Sequence, residues 1–275
     1  MNNKIINKNI AELAGLFAAD GSMQKNHICF WGNPKADRDF YDNHIKFLFL
    51  KVFNIQIRPH EKKSNFVYGF YVYNKNTINF FNETLGFPFG CKTYSVEVPS
   101  EIFNNINKKI LSAFLRGFFS GDGCLNFDKR YGNGYQKILT IVHTYPRIQI
   151  KCVCKKLIYQ LSDMLHRLKI KNFVSRHTTK KDNEVDIFML QVSGKNKLNT
   201  WAKVIGFPNK NHYSRYQIFK KYGFVPPNTT LEQRIKILNK ELNPYSFYKE
   251  INAPARIRTP GLQLSYPQQI EGSTM

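Results

Sequence analysis

A stretch of nine residues occurs twice in this chain. Leu13-Ala-Gly-Leu-Phe-Ala-Ala-Asp20-Gly21 aligns without gaps on Leu115-Arg-Gly-Phe-Phe-Ser-Gly-Asp122-Gly123, so that Asp20 and Asp122 stand 102 residues apart. A second pair of anchors, Leu85-Gly-Phe-Pro88 and Ile205-Gly-Phe-Pro208, keeps the same order at a separation of 120, which leaves about 18 extra residues within the second copy. DKRYGNGYQK, Asp128–Lys137, is the expected place for part of that insertion. Few features restrict a fold more. Two related half-domains, 8–108 and 109–225, must build the same architecture and then meet, with a C-terminal extension over 226–275 outside the repeat.

Hydrophobic periodicity gives both halves one element order. In the first, a helix over 9–19 precedes a strand, a helical pattern over 35–53 with Phe40, Ile45, Leu48 and Val52 inward, strands over 54–61 and 65–73, and a helix reaching about Leu85. In the second, the pattern predicts strands near 124–127 and 138–152, a helix over 153–168, strands around 171–178 and 184–192, and a helix around 195–205. The expected class is α+β, with αββαββα occurring twice.

Strand alternation separates two faces. Ile55 and Ile57 oppose Gln56, Arg58 and His60; Ile148, Ile150 and Cys152 oppose Arg147, Gln149 and Lys151. A basic, amide-rich sheet face can simply be solvated. Arg, Lys and Gln are also the side chains that reach guanine and adenine edges, and paired strands fit a major groove. The charge agrees: 41 Lys and Arg against 19 Asp and Glu in 275 residues give a formal net charge of +22, spread along the chain. That balance suits a polyanion. No compact basic cluster stands beside an apolar anchor, no apolar run reaches the ~18 residues of a membrane span, and the opening stretch lacks a secretion-signal core. A soluble, intracellular protein is expected. Five cysteines without zinc-ligand spacing are expected as reduced thiols, with Cys152 and Cys154 on one strand face.

In both copies small residues fall four apart, Gly15 with Ala19 and Gly117 with Gly121, a spacing that admits another helix at backbone distance. The repeated helices are therefore expected to pack together about a pseudo-twofold axis, bringing Asp20 and Asp122 together at their C-terminal ends. Neighbouring carboxylates repel, and a helix C-terminus adds negative potential. A divalent cation relieves both. Hard oxygen ligands from Asp20, Asp122 and the carbonyls of Ala19 and Gly121 suit Mg²⁺, with phosphates and water completing its shell. Such an ion can activate water for phosphodiester hydrolysis. The plainer alternative is that each Asp-Gly only ends its helix, with a left-handed glycine.

The two stretches, LAGLFAADG and LRGFFSGDG, resemble the paired LAGLIDADG motifs of homing endonucleases in their single-chain, two-motif form; the similarity covers about residues 9–225. The resemblance implies a pseudo-symmetric monomer whose two antiparallel, saddle-shaped sheets lie on double-stranded DNA, with the motif helices at the interface. It implies cleavage of both strands at a long, asymmetric site, leaving short 3′ overhangs. Asp20 and Asp122 match the acidic metal-ligand position, with Ala19 and Gly121 as carbonyl co-ligands. Mg²⁺ is the implied cofactor, with Mn²⁺ able to substitute and Ca²⁺ supporting binding without cleavage. Lys92, in GFPFGCKTYSVEVP, resembles the lysine such proteins place beside the metals. Counting six residues past the repeat glycine leads from Gly86 to Lys92 but from Gly206 to His212, with Lys210 close by; Lys210 and His212 are candidate DNA contacts. Gln24 and Asn126, each four residues past its aspartate, are candidates for positioning water or touching bases. Two other readings share the fold: a maturase acting on host intron RNA, and a regulator that binds DNA without cutting it, which the retained aspartates argue against. In the extension, TTLEQRIKILNKEL is expected as a short helix capped by Thr229 or Thr230, and the Pro-rich remainder as disordered or appended.

Overall fold

The computed structural model describes residues 5–129, 142–178 and 185–248. In the first half, α1 (Lys8–Asp20) runs into β1 (Gly21–Gln24) and β2 (His27–Gly32). A π-helical turn (Phe40–Ile45) continues as α2 (Lys46–Phe53), followed by β3 (His60–Lys62), β4 (Val67–Val72) and α3 (Lys75–Asn79), which extends as a π-helical turn over Phe80–Thr84. After α4 (Ser100–Phe103), the second half repeats the order with α5 (Lys108–Asp122), β5 (Gly123–Lys129), β6 (His143–Cys152), α6 (Lys155–Arg167), β7 (Phe173–His177), β8 (Ile187–Ser193) and α7 (Lys195–Val204). Then come α8 (Lys210–Tyr222) and α9 (Leu231–Leu238), the latter opened by a capping box between Thr230 and Gln233. Each half holds a four-stranded antiparallel sheet, ordered β1-β2-β4-β3 and β5-β6-β8-β7. The class is α+β, with αββαββα present twice.

Two expectations need correction. The strand expected over 54–61 forms only at His60–Lys62. Asn54 turns left-handed after α2 (φ 56°), and Pro59 has no N–H to offer a ladder, so the segment before His60 joins no sheet. Its alternation persists: Ile57 is buried while Gln56, Arg58 and His60 are exposed. Nor do Cys152 and Cys154 share a strand face. Cys152 closes β6, whereas buried Cys154 precedes α6 and donates its thiol to the Val96 carbonyl at 3.2 Å. All five cysteines are free. The part of the expected strand before 142, most of the 128–137 insertion and the extension from 249 onward lie outside the described residues.

The repeat extends from sequence into packing. Phe17 meets Phe81 and Phe87 with ring centroids 4.8 and 4.7 Å apart; at the equivalent positions, Phe119 meets Trp201 and Phe207 at 5.0 and 5.8 Å. Such ring pairs contribute ~0.5–1.5 kcal/mol each beyond their burial. Below them lie the inner sheet faces, Ile28, Phe30, Phe70 and Val72 in one half and Leu125, Ile148, Ile150 and Leu190 in the other. Each sheet thus buries one face on the helices and turns the other outward. Among the described residues no helix is long and apolar enough to cross a membrane.

Candidate functional site

α1 and α5 pack along their small residues, and the packing is reciprocal. A Cβ added to Gly15 would lie 2.0 Å from the Phe114 carbonyl oxygen and 2.8 Å from the Phe118 nitrogen; one added to Gly117 would lie 1.9 Å from the Glu12 carbonyl oxygen and 2.9 Å from the Leu16 nitrogen. Phe114 and Phe118 are the repeat equivalents of Glu12 and Leu16, so each glycine touches the same place on the other copy. The seam is pseudo-twofold, and only a residue without Cβ permits it. Both helices stop at their aspartate and turn straight into a strand. Gly21 and Gly123 are extended, with φ of −79° and −85°, which sets aside the left-handed helix ending. Glycine is needed for space: a Cβ would come within 2.3 Å of the Phe17 ring or 2.1 Å of the Phe119 ring.

This geometry brings Asp20 to Asp122. A Cβ on Gly121 would lie 2.7 Å from Asp20 Oδ2 and 2.8 Å from Ala19 Cβ, so the Asp20 carboxylate rests over the backbone next to Asp122. Burial pushes the Asp20 carboxyl well above the usual carboxylate range; Asp122 and Asp37 push it further, against the pull of Lys92. Burial also raises Asp122, again against Lys92. That lysine arrives because the Gly90 N–H donates to the Met23 carbonyl at 2.8 Å, tying its loop to β1. Its ammonium donates to the carbonyls of Ala18 (2.6 Å) and Ala19 (3.0 Å), and burial lowers its pKa although Asp122 and Asp20 raise it. The Ala19 carbonyl is therefore already engaged, and a cation using it must share it with Lys92. A cleft of about 360 Å³ opens here, lined by Ala18, Ala19, Lys92, Asp122 and Lys151 among others.

The second half meets the same need with different residues. His212 holds the repeat position of Lys92 and packs on Phe119 (4.8 Å between centroids), much as the Lys92 ammonium lies over Phe17 (6.0 Å). It is buried, and burial with Arg215 and Arg234 lowers its pKa to about 3. A DNA contact was expected there; the structure places a neutral core residue instead. The carbonyl equivalent to that of Ala18, on Ser120, receives Asn209 Nδ2 at 3.3 Å, and the same amide donates to Asp37 Oδ1 at 2.7 Å. The other Asp37 oxygen accepts the Asn33 N–H at 2.7 Å. Burial raises the Asp37 pKa, with these two bonds opposing it. Tyr41 is buried with its hydroxyl against the Asp20 carboxylate and near Asp37 and Cys29, and burial together with these neighbours pushes its pKa well up. Sequence reasoning missed Asp37, Tyr41 and Asn209. None lies in a repeated anchor, and only the N-cap position of Asn209 before α8 was a usable signal.

The remaining candidates fall elsewhere. Lys210 pairs with Asp39 across the halves at 2.8 Å. Gln24 ends β1 exposed. Asn126 and Gln149 bond to each other at 3.2 Å on the outer face of the second sheet. Arg147 Nε pairs with Asp128 Oδ2 at 2.6 Å. Gln56, Arg58 and His60 line a separate cleft of about 620 Å³ with Tyr71 and Tyr73. Among the described residues no group of three or more His, Cys, Asp or Glu could hold a metal by itself. A cation here needs Asp20 and Asp122 together with outside oxygens, and the all-oxygen set suits a hard ion that keeps water or phosphate in its shell.

Residues 109–206 match the family model described as the LAGLIDADG-like domain. An alignment 165 positions long, covering 51% of the chain, is 26% identical to part of a DNA polymerase of Methanocaldococcus jannaschii and spans 9% of that protein's length. Similar solved structures include mesophilic variants of the homing endonuclease I-DmoI (TM-score 0.49, 15% identity, 74% of this chain and 97% of that chain). I-DmoI in complex with DNA and Mn gives 0.48, 16%, 72% and 96%. The N-terminal LAGLIDADG domain of DUF199/WhiA gives 0.44, 14%, 74% and 85%.

Proposed function

We propose that the protein is a site-specific, divalent-metal-dependent endonuclease of double-stranded DNA, of the homing type, built from half-domains 8–108 and 109–225 and acting as a monomer. The observation that carries this reading is the meeting of Asp20 and Asp122 at the ends of two helices packed glycine against backbone. Two adjacent, partly desolvated carboxylates, Asp20 half-buried and Asp122 open to the cleft, oppose folding unless something positive joins them. A divalent cation, Mg²⁺ or in its place Mn²⁺, supplies that charge, lowers the pKa of water and stabilises a leaving oxygen. Asp20 and Asp122 hold it, with the carbonyls of Ala19 and Gly121 alongside. Lys92 offsets negative charge on the phosphate and orients the carbonyls it binds; Asn209 takes that orienting role in the second half. Gln24 orders water or touches a base at the rim of the first sheet. Gln56, Arg58, His60, Arg147, Lys151 and Lys210 supply backbone and base contacts along a long, asymmetric site. The pseudo-twofold axis gives each DNA strand one aspartate, and short 3′ overhangs are the expected product.

The test begins with a pool of randomised DNA duplexes, from which the full chain selects binders in Ca²⁺. Selected duplexes are then exposed to Mg²⁺. The wild-type chain should cut both strands, while Asp20→Asn and Asp122→Asn should bind without cutting. Binding with no cleavage by the wild type in either Mg²⁺ or Mn²⁺ refutes the endonuclease reading.

A further inference from the structure

The outer face of the second sheet carries a continuous ladder of side-chain amides. Asn126 on β5 donates through Nδ2 to Gln149 Oε1 on β6 at 3.2 Å. Gln149 donates through Nε2 to Gln191 Oε1 on β8 at 3.0 Å and to Met189 Sδ at 3.3 Å. Gln191 donates through Nε2 to the Ser193 hydroxyl at 2.8 Å, and the Cys124 thiol closes the other end on Asn126 Oδ1 at 3.2 Å. Register makes this possible, because Gln149 stands opposite both Cys124 and Gln191, with Asn126 on the diagonal. The first sheet carries rings instead: Trp31 packs edge-on against His60 and Tyr71, and His27 against Tyr71.

A primary amide offers two N–H donors and an oxygen with two lone pairs. Gln149 has both donors in use. Among the described residues, Asn126 and Gln191 have each committed one donor and one lone pair, which leaves each one of both. A donor with an acceptor is what adenine N7 and N6 require in the major groove. Both side chains are half-buried and held by neighbours on each side, so their orientation is set before any ligand arrives. We propose that Asn126 and Gln191 each read one adenine, and that Gln149 reads no base but holds the two readers in orientation. This rests on the DNA-binding reading above. β5 and β8 are two strand spacings apart, about 10 Å, while successive bases rise about 3.4 Å; the two readers therefore address different base pairs.

Selection of randomised duplexes in Ca²⁺ by the full chain also tests this. The wild type should select two strongly preferred adenines within one half of its site. Gln191→Met should relax one of them and Asn126→Ala the other, each by about 5- to 150-fold, with other positions unchanged. Gln149→Met should weaken both preferences and relax no third position. Gln149→Glu still accepts from Asn126 but cannot donate to Gln191, so it should spare the adenine lost in Asn126→Ala and weaken the other. A third relaxed position in Gln149→Met overturns the proposal, as does a Gln191→Met variant whose affinity falls alike for every sequence. Failure of the wild type to select any duplex overturns the DNA-binding reading itself, a result distinct from both.

Discussion

Gly117→Ala separates two physical effects at the helix seam, because propensity and packing act with opposite signs. Alanine is favoured over glycine in a helix interior by about 1 kcal/mol. The new Cβ would lie 1.9 Å from the Glu12 carbonyl oxygen, 2.8 Å from its carbon and 2.9 Å from the Leu16 nitrogen, all backbone atoms. Ordinary Cβ contact begins at 3.4 Å, and no rotamer moves a Cβ aside, so the helices must part by about 1 Å or more. A gap of that size forfeits a quarter to a half of each dispersion contact along the seam. Overpacking costs about 1–3 kcal/mol even where side chains can yield, and here they cannot. With only backbone to give way, the clash should run above that range, at about 3–5 kcal/mol, so the expected net loss is about 2–4 kcal/mol after the propensity gain. Gly15→Ala should behave alike, its Cβ falling 2.0 Å from the Phe114 oxygen. The double variant should lose less than the sum, since helices already parted for one methyl admit the other. Urea denaturation followed by far-UV circular dichroism gives the loss, and the thermal midpoint should fall by about 5–15 °C. A Gly117→Ala chain as stable as the wild type would refute the seam geometry and leave propensity in control.

Asp20→Asn should make the metal-free protein more stable at pH 7. The folded pKa of Asp20 lies above its unfolded value, so the native state loses stability as pH rises through that window, and the amide removes this loss; thermal melts between pH 3 and 8 should be flatter for the variant, and Ca²⁺ should raise the wild-type midpoint alone. His212 has its folded pKa lowered to about 3, so its contribution is complete above the unfolded value near 6.5 and is lost toward pH 3, at no more than about 1.4 kcal/mol per pH unit. His212→Leu should remove that slope from denaturation curves taken at pH 4 to 7. Buried Glu12 lies 2.7 Å from His44 Nε2 and is also bonded by Arg116; burial raises its pKa, but these partners lower it overall. Arg116→Met should cost about 3–5 kcal/mol in urea denaturation at pH 7, by leaving a buried carboxylate short of a partner.

The helix seam and its acids were legible because they depend on few degrees of freedom. Gly15 and Gly117 each face a backbone carbonyl, and any side chain there collides with the partner helix, so both copies show glycine in the same register. The aspartates follow at fixed distances along the same helices. β3 was less legible: the alternation of Ile55 and Ile57 was sound, but whether a partner strand lay beside it depended on the turn at Asn54 and on Pro59. Gln149 could be placed on the outer face from its own strand. Gln191 could not be tied to it, since their pairing is a register between β6 and β8, set by distant turns.

The partners of the aspartates were hidden for a related reason. Counting along the repeat leads from Lys92 to His212, and the two do occupy matching places, each against the phenylalanine of its own helix. Yet binding the carbonyl near the helix end asks only for an N–H donor of suitable reach, and an ammonium or an amide will serve. In the first half Lys92 reaches two carbonyls of α1; in the second Asn209 reaches one of α5 from three residues earlier, leaving His212 free to become core. The substitution changes charge as well as position. The end of α1 gains a cation that counters its negative dipole, whereas the end of α5 gains a neutral amide shared with Asp37. Backbone contact preserved the repeat at the seam because nothing else fits, while hydrogen bonding tolerated a change of residue a few ångströms away, and so the symmetry of packing survives around a site whose electrostatics are unequal.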